Sequence, residues 1–416
     1  MKSSTLPSPM TESPFRTRNF LVYFAGSTVS LIGLWIYRVA LGWFAWQLSK
    51  SELWVGIVAF TQFAPAVVFG PVFGVLADRF DRRAASMLIN SLSVINMLVL
   101  GLLTNLGYID IRVLALLALM QGILDGAHAP VRMSIVPNLV QRGQLQSAIA
   151  WTSIAFNMSR FVGPAVAGFV IAVWGVATAF LINGVSYIAY IVAMAVVRLN
   201  PSSAKSVRKH PWAELVDGAR YVFTHQTIRG LLLLAAMGSV FGRGALEMLP
   251  AFADAVYARG AGGLAIMTSA IGGGAVITGL ALSRGTAWLT MQAIHYAVFV
   301  SGLLAVLLGT TGNFHVAVGI VAFMGVTLSL SGVGSQILIQ GLVEDELRGR
   351  VSSFWGMIAF GGTSLGSLVI GAAAKSWGLQ PTVAVTGALC SILAIGSGWR
   401  IREQRQSRLE HRRRQP

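Results

Sequence analysis

The amino-acid sequence predicts an all-α membrane protein of twelve transmembrane helices in two pseudo-symmetric six-helix bundles, with both termini cytoplasmic. Three observations carry this reading. Hydrophobic residues are 55% of the 416-residue chain against 11% charged, and the mean hydropathy of +0.69 comes from long apolar runs. The basic residues crowd into alternate loops, and the second half of the chain repeats the first.

In chain order the runs fall near 19–47, 53–77, 84–106, 111–133, 147–174, 177–197, 229–257, 263–283, 287–310, 314–340, 350–377 and 381–399. Each is close to or above the roughly 20 residues that a hydrocarbon core about 30 Å thick demands. In lipid every backbone amide is satisfied within its own segment, so each run is a helix. The short alternating strands of a membrane barrel are not seen. The expected organisation is a cytoplasmic segment 1–18, a bundle 19–197, a cytoplasmic linker 198–228, a second bundle 229–399 and a basic tail 400–416. The linker carries an amphipathic stretch from Trp212 to Phe223, expected to lie at the membrane surface.

Orientation follows from charge. With the N-terminus inside, the inner loops and tails hold groups such as Arg79, Arg82, Arg83, Arg208, Lys209, Arg348 and the seven Arg from Arg400 onward. The outer loops and span ends hold only Lys50, Arg112, Arg259 and Lys375. This bias places both termini in the cytoplasm. The net charge of +16 is therefore mostly a topology signal, and because it is spread over many loops it does not suggest nucleic-acid binding. The first 18 residues, with Pro7, Pro9 and Pro14, lack the basic-then-apolar order of a signal peptide, so the first span is the expected insertion signal. The lone Cys390 reads as a small core residue, and no metal or cofactor is implied.

The repeat is explicit around span five. Leu139–Val140, Gly163, Gly168, Trp174 and Gly175 match Leu342–Val343, Gly366, Gly371, Trp377 and Gly378 at one constant offset. Trp151 and Ile154-Ala155-Phe156 match Trp355 and Ile358-Ala359-Phe360 with a slip of one residue. Span five thus corresponds to span eleven, and a six-plus-six duplication predicts a substrate site between the halves near the midplane.

Between spans two and three stands Gly74-Val75-Leu76-Ala77-Asp78-Arg79-Phe80-Asp81-Arg82-Arg83. This resembles the loop 2–3 signature of the major facilitator superfamily, with Asp81 standing where the superfamily usually has Gly. The resemblance covers the whole chain and implies a transporter. Gly74 lets helices approach closely. Asp78, at the end of its helix, is placed to accept from amides near Gly349 and Arg350. With Arg79, Arg82 and Arg83 it is expected to latch the cytoplasmic side shut in the outward-open state. The second half has Gly279 and Arg284, but Ser283 replaces the Asp, so the latch is expected to be asymmetric. Span five carries Gly163-Pro164-Ala165-Val166-Ala167-Gly168, similar to the G-P-x-x-x-G element that in this superfamily is associated with antiport and export. Gly163 and Gly168 permit close packing, and Pro164 bends the helix. The patches 130–140 and 347–351 resemble the branch that includes the enterobactin exporter and macrolide efflux proteins.

Charges within spans are costly and are candidates for function. Gln121, Asp125, His128 and Arg132 share one face of span four. Arg243 and Glu247 stand at i and i+4 on span seven, Asp254 follows near the outer end, Arg38 is on span one and Arg160 on span five. The resemblance implies a cavity lined by helices one, four, seven and ten. Asp125 and Glu247 are the proton-coupling candidates, because burial disfavours a charged carboxylate and a nearby guanidinium favours it. Arg38, Arg160 and Arg243 are candidate partners or anion-binding groups, and a static Arg243–Glu247 pair is the alternative. Gln121, His128, Trp35, Tyr37 and Gln336 are further candidates for charge partnership or substrate contact. For His128 the competing role is a hydrogen-bonded packing residue.

The resulting expectation is a monomeric secondary transporter of the bacterial inner membrane, with small-molecule substrate, protons and membrane lipids as partners. It exports a siderophore or drug-like compound by proton-coupled alternating access. A metabolite importer of the same fold, a lipid flippase or a non-transporting receptor are the alternatives. No P-loop, zinc motif or nucleophile elbow points to an enzyme.

Overall fold

The computed structural model describes residues 13–199 and 220–413, with the backbone alone at 71–72, 74–79, 142, 345–346, 348–350 and 398–413. Among the described residues there are eleven helices long and apolar enough to cross a membrane, and no strand. They are α1 (Arg18–Ser49), α2 (Glu52–Arg79), α3 (Arg82–Asn105), α4 (Ile111–Ile135), α5 (Leu145–Val196), α6 (Gln226–Val256), α7 (Gly260–Ser283), α8 (Met291–Thr310), α9 (Phe314–Leu342), α10 (Asp345–Trp377) and α11 (Leu379–Arg413). The amphipathic stretch from Trp212 lies mostly outside the described residues.

The sequence runs 147–174 and 177–197 both fall within the single 52-residue element α5. No loop separates them; the chain turns at Gly175, where φ is 82° and ψ 172°. Gly378, between α10 and α11, has φ 85° and ψ 155°. Only glycine adopts such angles without strain. The two repeat-related glycines therefore make the same helix-to-helix turn, and the duplication read in the sequence extends to backbone conformation. The caps repeat too. Asp110 accepts from the amides of Arg112 and Val113 at 2.9 and 2.8 Å to start α4, and Asn313 accepts from His315 and Val316 at 2.9 and 3.3 Å to start α9. Each satisfies two of the orphan amides of a first turn.

α3 shows how the chain distributes polarity. Ser86, Asn90, Ser93 and Asn96 are buried, whereas Leu88, Leu92, Ile95, Leu98 and Leu102 are exposed. The apolar stripe runs at three- and four-residue spacing on the outside and the polar one faces neighbouring helices. This inverts the soluble pattern, as a lipid solvent requires. Asp81, the departure from the superfamily signature, is the N-cap of α3: its carboxylate accepts from the Ala84 amide at 2.7 Å.

In the first half α1 and α3 pack on α5, and α2 packs on α4; in the second half α7 packs on α9 and α8 on α11. The halves meet along α2–α10 and α5–α7. The contact is close where small residues face each other. A Cβ added at Gly371 would stand 2.5 Å from the Glu52 carbonyl oxygen. α6 and α9 depart from regular geometry, with π turns at Gly238–Arg243, Phe252–Val256 and Leu330–Gly334. Such turns concentrate at functional sites.

Candidate substrate cavity

A cavity of about 650 Å³ lies between the two halves. It begins at the end of the molecule that holds the start of α1, beside Tyr23, Phe24, Met133 and Val136. Its deepest walls are Gly42 of α1 and Pro250 of α6. There the helices touch: a Cβ on Gly42 would sit 3.3 Å from Pro250 Cγ. Just beyond, the Asp254 carboxylate accepts from Lys50 Nζ and from Trp46 Nε1, each at 2.7 Å. This ties the far ends of α1 and α6 together.

Helices α1, α4, α6 and α9 line the cavity, which correspond to spans one, four, seven and ten; α2, α5, α7 and α10 line it as well. Arg38, Arg160 and Arg243 all open into it, and Arg132, near the end of α4, lines it as well. Arg38 lies over the ring of Trp35 at 4.8 Å and that of Phe63 at 5.3 Å, and Arg160 over Trp35 at 5.6 Å. The same indole thus steadies two guanidiniums through cation–π attraction. Arg243 leaves α6 from the end of its π turn and lies against the π turn of α9: its Nη2 is 2.8 Å from where a Cβ on Gly332 would be. Glu247 also lines the cavity, within electrostatic reach of Arg38, Arg160 and Arg243.

The alternative of a static Arg243–Glu247 pair is not what forms. Among the described residues the one ion pair is Lys50–Asp254. Regular i, i+4 spacing allows two such side chains to pair. The backbone between them is regular, the Glu247 amide donating to the Arg243 carbonyl at 3.2 Å, with the π turn ending at Arg243 and the helix breaking after Glu247, where Met248 has φ −84° and ψ 0°. Both side chains enter the cavity without bonding each other.

Other candidates go elsewhere. Gln121 is fully buried in a network inside the first half: its Nε2 donates to Asp125 Oδ1 at 2.9 Å and Tyr187 Oη at 3.0 Å, with Ser93 Oγ 3.3 Å away, and its Oε1 accepts from Asn96. Asp125 does not line the cavity, and its Oδ2 has no hydrogen-bond partner. His128 Nε2 is 3.1 Å from both Ser86 Oγ and Asn90 Nδ2, the hydrogen-bonded packing role. Tyr37 is fully buried in the core of the first half beside Phe180. Trp35 and Gln336 line the cavity. Gly163 packs against Trp35 of α1, Gly168 against Ala265 of α7, and Pro164 forms part of the wall. Arg83 donates to the Ala195 carbonyl. The latch expected of Gly74, Asp78 and Arg79 falls outside the described side chains, as does its partner at 349–350.

Sequence reading missed Lys50 and Trp46 as partners of Asp254. The available signal was the scarcity of outer basic residues. It also missed the wall residues Gln62 and Trp355, which carry buried N–H groups without a protein partner.

The family described as transmembrane secretion effector matches residues 9–415. The chain belongs to this family of the major facilitator superfamily. It is therefore a multi-pass membrane transporter and not an enzyme. Among its family relatives, the "Staphyloferrin A transporter" of Staphylococcus aureus is 27% identical over 88% of this chain and 92% of its own. The "Macrolide efflux protein A" of Streptococcus pyogenes is 23% identical over 90% of this chain and 94% of its own. The fold is similar to that of a bacterial homologue of the lysosomal transporter Spinster, with TM-score 0.73 at 14% identity, covering 93% and 96% of the two chains.

Proposed function

We propose that the protein exports a small organic molecule, a siderophore or drug-like compound, by proton-coupled alternating access in the bacterial cytoplasmic membrane. The observation that carries this is the cavity. It is walled by both halves, contains ionisable groups and is closed at one end by Lys50, Trp46 and Asp254. In this reading the 52-residue α5 contributes two crossings, giving six to each half, residues 198–228 link the halves, and the basic bias sets both termini inside. The cavity then faces the cytoplasm, the state in which an exporter loads. The names of the staphyloferrin and macrolide relatives support a siderophore or drug substrate and outward transport.

Glu247 is the favoured proton carrier, because it is the carboxylate on the cavity wall. Its surroundings change whenever the halves rock, since Arg38 and Arg160 belong to the first half and Arg243 to the second. A carboxylate whose cationic neighbours differ between end states gains a proton in one and loses it in the other. Asp125 is the second candidate, within reach of Arg38 through the first-half network. The chain acts as a monomer, with Gly74, Asp78, Arg79, Arg82 and Arg83 as the cytoplasmic latch of the opposite state.

The test compares wild-type cells with cells lacking the protein under iron limitation, using mass spectrometry of small molecules inside and outside. A siderophore retained in the deficient cells, and released again by wild type but not by Glu247→Gln, is the expected result. An unchanged distribution removes the siderophore reading, and accumulation dependent on the protein overturns export.

A further inference from the structure

The cavity wall is one-sided in two independent ways. In charge, the three arginines Arg38, Arg160 and Arg243 face one carboxylate, Glu247, with Arg132 nearer the mouth, and none of these five is in an ion pair. Arg160 feels the like charges of Arg243 and Arg38 as well as the opposite charge of Glu247. Holding unpaired cations together in a low-dielectric interior is costly, so their presence calls for a function. In hydrogen bonding, four wall residues carry a buried atom with no protein partner, and every one is a donor: Trp35 Nε1, Arg38 Nε, Gln62 Nε2 and Trp355 Nε1. An indole N–H and a guanidinium N–H can only donate. Gln62 is itself 7% exposed. A buried donor left unmade is costly. The complement of such a wall is rich in acceptors and negatively charged.

Resting on the reading of this cavity as the substrate site, we propose that it binds an organic polyanion carrying two or more carboxylate-like groups. The three guanidiniums take the anionic groups, and the donors on Trp35, Gln62 and Trp355 take further ligand oxygens. Arginine suits this role because its planar fork binds carboxylate in a bidentate manner. Two features hold the forks ready. Trp35 and Phe63 flank the Arg38 guanidinium, and the π turn of α9 leaves room at Gly332 for that of Arg243. The stacked pair Phe63–Phe360, with ring centroids 6.4 Å apart and from opposite halves, adds an apolar wall for the carbon skeleton. The arginines come from both halves, so one multiply charged ligand bridges them as a monoanion cannot. Carrying it out moves negative charge outward. An interior-negative potential favours that, in addition to any proton exchanged at Glu247.

The test is ligand-dependent thermal stabilisation of the purified full-length protein in detergent. The probe is propane-1,2,3-tricarboxylate, with butyrate and glycerol as controls and ionic strength matched by sodium chloride. The expected result is a concentration-dependent rise in melting temperature with the tricarboxylate alone. The apparent affinity is expected to fall tenfold or more in Arg243→Gln and in Arg160→Gln. Each variant is first shown to melt cooperatively without ligand; should one not fold, the other and Trp355→Phe carry the comparison. No stabilisation, equal stabilisation by butyrate, or equal affinity in the variants overturns the proposal. Binding is read here without transport. Failure with intact cellular export would remove the polyanion alone, and binding without export would remove the export reading alone.

Discussion

Lys50 Nζ and Asp254 Oδ2 meet at 2.7 Å across the far ends of α1 and α6, one residue from each half of the duplicated chain. Lys50 reaches there because it ends α1 in the left-handed conformation, at φ 47°, which turns the chain directly into α2. Trp46, one turn earlier, shares the same carboxylate oxygen. A surface-accessible pair of this kind is worth at most about 1 kcal/mol after solvent screening. That is still enough to bias two end states of similar energy about fivefold.

Removing that bond is expected to open the far end of the cavity more often. Asp254→Asn, in a Cys390→Ser background with a cysteine placed at the cavity-lining Thr268, should be labelled from outside by an impermeant maleimide several times faster than the Asp254 parent. Equal rates would show that the pair does not hold the far end closed.

Gly332 is expected to matter through Arg243. A methyl group at position 332 would crowd the Arg243 guanidinium, and the free end of that side chain must move. Gly332→Ala should reduce transport at low substrate concentration about tenfold, which corresponds to about 1.4 kcal/mol, with little change in melting temperature. A large loss of stability with unaltered transport would instead make the glycine a packing residue.

Gly175 and Gly378 are expected to be sites where alanine costs stability for backbone reasons alone. Nothing lies within 4 Å of a Cβ at Gly175, so the penalty there is the positive φ itself. About 1–3 kcal/mol is anticipated for each substitution, read as an earlier thermal transition. If Gly175→Ala melts like wild type, the turn is not strained by a side chain and α5 runs on differently.

Asp81 gives a prediction with a sign. Asp81→Ala removes the cap of α3 and should destabilise by about 1 kcal/mol, whereas Asp81→Gly, the usual superfamily residue, should cost only a few tenths. Comparing the two melting temperatures decides whether the carboxylate acts through capping.

Much of this architecture was legible because it is written locally. Hydropathy along the chain, the crowding of arginine into alternate loops and the spacing of Gly163, Gly168 and Gly175 each concern residues near one another in sequence. His128 was legible in part, since its face of α4 showed that it points inward. Its partners Ser86 and Asn90, on another helix, were not. Asp125 and Glu247 looked equivalent as intramembrane carboxylates. The fold separates them, sending Asp125 into the network of Gln121 and Glu247 into the cavity.

The sequence by itself determined the membrane class, the repeat and the intramembrane arginines Arg38, Arg160 and Arg243, because solvation by lipid constrains each segment independently. Only the tertiary structure decided that those arginines share one cavity. It alone showed that Arg243 and Glu247 enter that cavity without pairing, and that Lys50 and Trp46 of α1 find Asp254 of α6. These are contacts between segments remote in the chain. They depend on the angles at which helices cross and break, which no local pattern specifies.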